Sequence, residues 1–180
     1  MQKFTTNGII LKRRNVGEAD RILTVLTPTM GKLQIKAVGV RRIPSKRASH
    51  IELLNFTSLT LHKSHQLPIL TEAMAIEFYS DIKNDLTKVG LAYHICELID
   101  GLCPENQENQ QVFNLLQETL LALNIQQDVI PLIHDFEVQL LSLLGYWSGQ
   151  YDLSGAKASY FIESILERKL KSRQILPRLL

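Results

Sequence analysis

Hydrophobic and polar positions follow one rhythm up to about residue 75 and another after it. In the first part, short apolar runs rich in β-branched residues are divided by turn residues, the pattern of strands. Ile9-Ile-Leu11 opens a strand that ends in Lys12, Arg13 and Arg14, and Asn15 to Glu18 reads as a turn. Arg21 to Thr27 is a second strand, followed by Pro28-Thr-Met-Gly31 with proline and glycine at turn positions. From Lys32 to Val40, apolar Leu33, Ile35 and Ala37 alternate with Gln34 and Lys36, as in a half-buried strand. Arg41 to His50 holds Pro44 and four basic residues and reads as an exposed loop. Phe56 to Lys63 alternates again, with Leu59 and Leu61 on one side, and Leu67 to Thr71 follows as a fifth strand that Pro68 marks as an edge.

After residue 75 the period becomes helical. Ala92, Ile95, Cys96, Ile99, Leu102 and Cys103 form one stripe, which Pro104 closes. Val112, Leu116, Leu120 and Leu123 mark a second helix. Ile133, Phe136, Leu140 and Leu144 mark a third, starting at Asp128 with Val129 or Ile130 and stopping at Gly145. A loop from Tyr146 to Gly155 holds the single tryptophan, Trp147. Ser159 to Leu170 is a fourth helix, with Ile162, Ile165 and Leu166 inward. The expectation is an α+β chain, strands first and helices second, with domains at 1–75 and 76–180. Five short strands with this turn spacing fit a five-stranded OB-fold barrel, and an SH3-like barrel satisfies the same pattern.

Composition narrows the class. The chain has 180 residues, 45% hydrophobic and 21% charged, ordinary for a globular protein and unlike collagen-like or disordered chains. No apolar run nears the roughly 20 residues of a membrane-spanning helix, and the start has too short an apolar core for a signal peptide. Cys96 and Cys103 are too few for a disulfide framework or a four-cysteine zinc site, so a reducing cytoplasm is expected and no membrane. The formal net charge of +2 conceals a segregation. Residues 1–80 carry 12 Lys/Arg against 5 Asp/Glu, residues 81–153 carry 2 against 11, and residues 154–180 carry 6 against 2. A basic first part of this density is a candidate polyanion surface.

No catalytic constellation accompanies it. Gly31-Lys32 lacks the earlier glycine and the following hydroxyl of a phosphate-binding loop, and no Gly-x-Ser-x-Gly or His-Glu-x-x-His occurs. His62 and His65 flank a turn with no neighbouring ligand types. Cys96 and Cys103 lie two helical turns apart on an apolar stripe and read as core thiols. Glu18 and Asp20 read as turn residues, one of them holding a nearby arginine. No enzyme, no metal and no cofactor are expected.

The basic residues fall in two groups. Lys12, Arg13, Arg14, Lys32, Lys36, Arg41, Arg42, Lys46 and Arg47 are candidate polyanion contacts, because the first strand and the third can end at one barrel rim. Ser45 and Ser49 are candidate additional phosphate donors. Phe4 and Phe56 are the only aromatic residues among 1–77, so binding should rest on phosphates rather than stacked bases. Such a surface leaves base edges free to pair, as strand annealing requires. In the tail from Leu166 to Leu180, Arg168, Lys171 and Arg173 alternate with leucines and suit an acidic peptide ending in an apolar residue.

Gly8-Ile-Ile-Leu-Lys-Arg-Arg-Asn-Val-Gly-Glu-Ala-Asp-Arg-Ile-Leu-Thr-Val-Leu-Thr-Pro-Thr-Met-Gly-Lys32 resembles the opening of the bacterial RecO family of recombination mediators. Ala37-Val-Gly-Val-Arg-Arg-Ile-Pro-Ser-Lys46, Leu141-Ser-Leu-Leu-Gly-Tyr146 and Leu170-Lys-Ser-Arg173 extend the resemblance in order. It implies an OB-fold followed by a helical domain. It implies binding of single- and double-stranded DNA, annealing, and loading of RecA onto DNA coated by single-stranded DNA-binding protein. The implied partners are RecR and the acidic C-terminal tail of that coating protein, with a nucleoid-associated cytoplasmic location. Arg13, Arg14, Arg41 and Arg42 inherit a DNA-contact role. Many family members carry a four-cysteine zinc module after the Leu-Gly-Tyr segment. Residues 147–158 hold no cysteine, which removes zinc from the expectation and leaves Trp147 packing as a candidate stabiliser of that corner. A protein-interaction adaptor that binds no nucleic acid and an OB-fold RNA-binding factor are the alternatives.

Overall fold

The computed structural model describes residues 2–43 and 45–175. The chain forms two compact units. One holds the residues up to Phe78 with Pro104–Gln110; the other holds Tyr79–Cys103 with the residues from Gln111 on. The change of unit falls after Phe78, and a short polar stretch rejoins the first unit.

The first unit is a closed barrel of β1 (Lys3–Val16), β2 (Asp20–Thr27), β3 (Gly31–Ala37), β4 (Phe56–His62) and β5 (Ile69–Glu77), in the order β1-β2-β3-β5-β4. That order is the OB-type barrel and excludes the SH3-like alternative. β1 is much longer than its apolar centre predicts. It pairs with β4 over Lys3–Ile9 and with β2 over Ile9–Val16, so one strand closes the barrel from both sides. Gly8 sits near the change of partner, where a β-carbon would overlap the Val25 side chain. Ile10, Leu23, Val25, Ile35, Leu59 and Leu61 are fully buried in the core. β5 runs well past the predicted Thr71. Its outward residues Met74 and Ile76 are apolar like the inward Ala73 and Ala75, so no polar alternation reveals it in the sequence. β3 meets β5 in parallel only at Lys36 and Ile69, with the Lys36 amide donating to the Pro68 carbonyl at 2.9 Å.

The polar stretch Pro104–Gln110 runs beside the start of β3. Lys32 bridges Glu105, the Asn106 amide donates to the Lys32 carbonyl at 2.9 Å, and Gln34 Nε2 donates to Glu105 Oε1 at 2.6 Å. Gly31 permits this approach. Its φ is +67°, and a β-carbon there would run into the Gln107 backbone.

The second unit is helical: α1 (Ser80–Lys83), α2 (Leu86–Leu102), α3 (Gln110–Ile125), α4 (Ile130–Leu143), α5 (Lys157–Leu166) and α6 (Lys171–Ile175). Asp85 caps α2, its side chain accepting from the amides of Thr87 and Lys88. α4 ends as its glycine predicts. Gly145 has φ +77°, its amide donates to the Ser142 carbonyl, and the Tyr146 amide donates to the Leu141 carbonyl. Its start differs from expectation: Val129, not Asp128, occupies the cap position, without a side-chain cap, and Pro131 lies in the first turn. The predicted helix Ser159–Leu170 is broken. Glu167 turns left-handed at φ +54°, and the chain resumes as α6 with Leu170 fully buried between the two pieces. Trp147 donates from Nε1 to the Tyr151 carbonyl at 3.0 Å, closing its own loop. Among the described residues no helix is long and apolar enough to cross a membrane. Pro44 and the tail residues Leu176, Arg178, Leu179 and Leu180 lie outside the described residues.

Candidate nucleic-acid interface

The position of the basic residues on β1 depends on a bulge. The β1–β2 register shifts between Ile10 and Lys12, leaving Leu11 as the extra, buried residue. Beyond it, Lys12 pairs with Thr24 and Arg14 with Ile22, while on β3 these face Gln34 and Lys36. Directly paired residues share a sheet face. Lys12, Arg14 and Lys36 therefore share the outer one, whereas Arg13 shares the inner parity of Leu23 and Ile35. Strand spacing puts Arg14 and Lys36 about 10 Å apart across β2. An unbroken alternation from the buried Ile10 would have turned Arg13 out and its two neighbours in.

Arg13 is committed internally. It forms an ion pair with Glu52, which also receives Arg21 at 3.6 Å; Arg21 Nε donates to Asn15 Oδ1 at 3.2 Å as well. The carboxylate that holds the arginines is thus Glu52, from a distant loop, rather than Glu18 or Asp20. Asp20 instead accepts from the Gly39 amide at 2.9 Å and pairs with Lys36 at 3.4 Å. These interactions, led by the Gly39 hydrogen bond, hold its carboxyl below the usual range.

The expectation that β1 and β3 end at one rim is met. Asn15 pairs with Arg21 and Arg21 with Ala37; the Arg41 amide donates to the Ala19 carbonyl and its guanidinium to the Gly17 carbonyl at 3.2 Å. Arg47 is held in place by the fold: Nη1 donates to the Leu70 carbonyl at 2.6 Å and Nη2 to the Val38 carbonyl at 2.8 Å. Arg42 and Lys46 are exposed on the turns after β3, as are Lys12 and Arg14. Lys32 is 6% exposed because Pro104–Gln110 lies along it, so it is removed from the outer surface. Phe4 and Phe56 are half-buried, Phe4 against the core, and offer no exposed stacking platform.

In the helical unit the basic tail residues meet acidic ones. Arg168 pairs with Glu97 at 2.7 Å; Arg173 pairs with Glu163 at 3.0 Å and lies 3.7 Å over the Tyr160 ring. Glu97 also accepts from the amides of Lys171 and Ser172 and from the Ser172 hydroxyl. Burial raises the Glu97 carboxyl, but these donors outweigh it and bring the group down to about 2. Below them runs a buried polar chain. His94 touches Ser172 Oγ at 2.8 Å and Glu137 Oε1 at 2.9 Å, and Ser159 Oγ donates to the same Glu137 oxygen at 2.6 Å. A cavity of about 200 Å³ opens beside it, with Leu91, Ile130 and Ile133 as apolar walls and His134 and Arg173 among its polar ones. The Nδ1 of His134 is buried without a hydrogen-bond partner among the described residues. Cys96 and Cys103 are buried thiols outside any disulfide, as expected, and burial pushes Cys96 up to about 12. Among the described residues no three His, Cys, Asp or Glu gather as metal donors.

Residues 1–79 match the family model described as Recombination protein O N terminal, and residues 83–147 match Recombination protein O C terminal. The chain is 36% identical over 155 residues to the DNA repair protein RecO of Roseiflexus sp. (strain RS-1), covering 86% of this chain and 54% of that protein. It is 35% identical over 143 residues to the DNA repair protein RecO of Dehalococcoides mccartyi (strain BAV1), covering 79% and 56%. To the DNA repair protein RecO of Acetivibrio thermocellus it is 31% identical over 147 residues, covering 81% and 59%. The chain thus spans somewhat more than half the length of the curated relatives it matches.

Proposed function

The chain belongs to the RecO family of DNA repair proteins, matched in both its barrel and its helical part, and from that premise we propose that its barrel binds single- and double-stranded DNA through phosphates. On this reading it anneals complementary strands and helps load RecA onto DNA coated by single-stranded DNA-binding protein, without catalysing a reaction. The observation that carries the reading is the outward row of Lys12, Arg14 and Lys36, continued at the rim by Arg41, Arg42 and Lys46. Among the nine expected contacts, Arg13 is paired with Glu52, Lys36 with Asp20, Arg47 is held in place by two carbonyls and Lys32 is buried. Each phosphate neutralised by the remaining cations releases counterions, so affinity falls as salt rises. Base edges stay unread and free to pair, which is the condition for annealing.

The helical unit is the proposed site for the acidic tail of the coating protein, with RecR as a further partner and the nucleoid-associated cytoplasm as the location. Support for the tail site comes from the 200 Å³ cavity, whose apolar walls suit an apolar residue and whose polar lining holds His134, Glu137 and Arg173, the last paired with Glu163. Arg168 and Lys171 serve this site only at its margin, since Arg168 is paired with Glu97 and the Lys171 backbone caps onto it.

Annealing of complementary strands, with and without the coating protein, tests the proposal together with binding measured against salt. Acceleration and a clearly negative log–log salt slope are expected. A slope near zero, or no acceleration in either condition, removes it in favour of an adaptor. Tighter binding to matched RNA than to DNA strands would instead favour the RNA-binding alternative.

A further inference from the structure

Between the turns after β3 and the strand β5, the barrel unit has a pocket of about 530 Å³ lined by Gly39, Arg42, Ser45, Lys46, Arg47 and Thr71, with Val38 at its edge. Among the described residues that line it there is no carboxylate. The adjacent Asp20 is occupied by the Gly39 amide and by Lys36. The Arg47 guanidinium is fixed by the carbonyls of Leu70 and Val38. Both acceptors are neutral, so its orientation is locked while its charge is left without a carboxylate among those contacts. Arg42 and Lys46 stand on the turn above, exposed. Two stacked turns hold them there: the Arg42 amide donates to the Gly39 carbonyl at 3.2 Å and the Ser45 amide to the Arg42 carbonyl at 3.0 Å. The Ser45 hydroxyl is buried, yet has no hydrogen-bond partner among the described residues. Buried hydroxyls nearly always have one. Here the donor lies in the wall of a cavity with three cations.

We propose that this pocket is a seat for one phosphate group of a nucleic-acid backbone. The inference rests on the reading of the barrel as a DNA surface and goes beyond it by assigning one phosphate to one built site. Arg47 is the fixed floor charge, Arg42 and Lys46 close over the anion, and the Ser45 hydroxyl donates to one of its oxygens. The seat orders the backbone at a single point, whereas Lys12 and Arg14 on the sheet act as diffuse charge.

The counterion relation separates a seat from a diffuse patch. For single strands, each neutralised phosphate contributes about 0.7 to the log–log salt slope. If Arg42 and Lys46 serve one phosphate, Arg42→Ala with Lys46→Ala lowers the slope by about 0.7 in total. If each serves its own phosphate, the double variant loses about 1.4. Ser45→Ala weakens binding about tenfold with the slope unchanged, since it removes a hydrogen bond to a charged group but no charge. The full chain is titrated with oligothymidine between about 50 and 200 mM salt, and thermal melting confirms that the variants remain folded. Amide NMR with the same strand, its neutral methylphosphonate analogue and inorganic phosphate distinguishes the source of the anion. Shifts at Ser45 and Lys46 with the phosphodiester strand, absent with the analogue, support the seat. Equal shifts with the analogue overturn it, as does inorganic phosphate that the strand cannot displace. A wild-type slope that is clearly negative but additive or insensitive to the two substitutions sinks the seat and spares the DNA reading. A wild-type slope near zero removes both.

Discussion

Replacing Glu97 by glutamine tests how α6 is held in the helical unit. Oε1 of Glu97 accepts from Arg168 at 2.7 Å and the Lys171 amide at 3.0 Å; Oε2 accepts from the Ser172 amide at 2.9 Å and the Ser172 hydroxyl at 2.7 Å. A carboxylate can accept at both oxygens, whereas an amide accepts at one and presents its own donors at the other. Whichever way glutamine turns, its NH2 therefore faces a backbone amide donor, that of Lys171 or that of Ser172. The drop of the Glu97 carboxyl from 4.5 to about 2, discounted for solvent screening of a partly exposed group, corresponds to about 2–3 kcal/mol. The folded value is the lower one. The stabilisation is thus complete above pH 4.5 and is lost as pH falls towards 2. Some hydrogen bonds survive in the variant, but its NH2 is set against a donor, so Glu97→Gln is expected to cost about 2–3 kcal/mol at pH 7. At pH 3 the difference should be less than half of that. Urea titrations of both proteins at the two pH values measure it, and hydrogen exchange at Ser172 reports whether α6 opens first. A cost below about 0.5 kcal/mol at pH 7, or one that does not change with pH, refutes the carboxylate's role.

Three further outcomes follow from single positions. Glu137→Leu leaves His94 and Ser159 without their common acceptor and should cost about 3 kcal/mol or more in urea unfolding; an unchanged midpoint would remove the buried chain from the stability of this unit. Gly31→Ala meets both a left-handed φ of +67° and the Gln107 backbone. It should destabilise by about 2–4 kcal/mol and speed exchange of the Asn106 amide, and slow exchange at wild-type level would contradict the close approach. Cys96, buried and pushed up to about 12, should resist a thiol reagent in the folded chain at pH 8 and react on unfolding, a contrast that a stopped assay with and without denaturant reads directly.

Local pattern alone determined a good deal about this protein. The alternation of Leu33, Ile35 and Ala37, the helical stripe through Ile95 and Ile99 and the glycine stop at Gly145 are short-range signals, and each lies where its residues predict. The excess of cations in the first part was legible too, because charge is a property of composition. Tertiary structure decided which cations face outward. Arg13 lies between Lys12 and Arg14 and is chemically like them. A one-residue bulge at Leu11 reverses the sheet parity beyond it, and Glu52, 39 positions away, supplies the partner. The burial of Lys32 comes from Pro104–Gln110, a polar stretch with no periodicity to announce where it returns. The predicted fourth helix stops early, at Leu166, and the separate α6 that follows is held by Glu97, far away in sequence, which accepts from the amides of Lys171 and Ser172. In each case the deciding interaction joins residues tens of positions apart, and a reading confined to neighbouring residues contains no term for it. The sequence therefore determined the kinds of surface and core this protein has, while long-range pairing determined which charges remain available to a ligand.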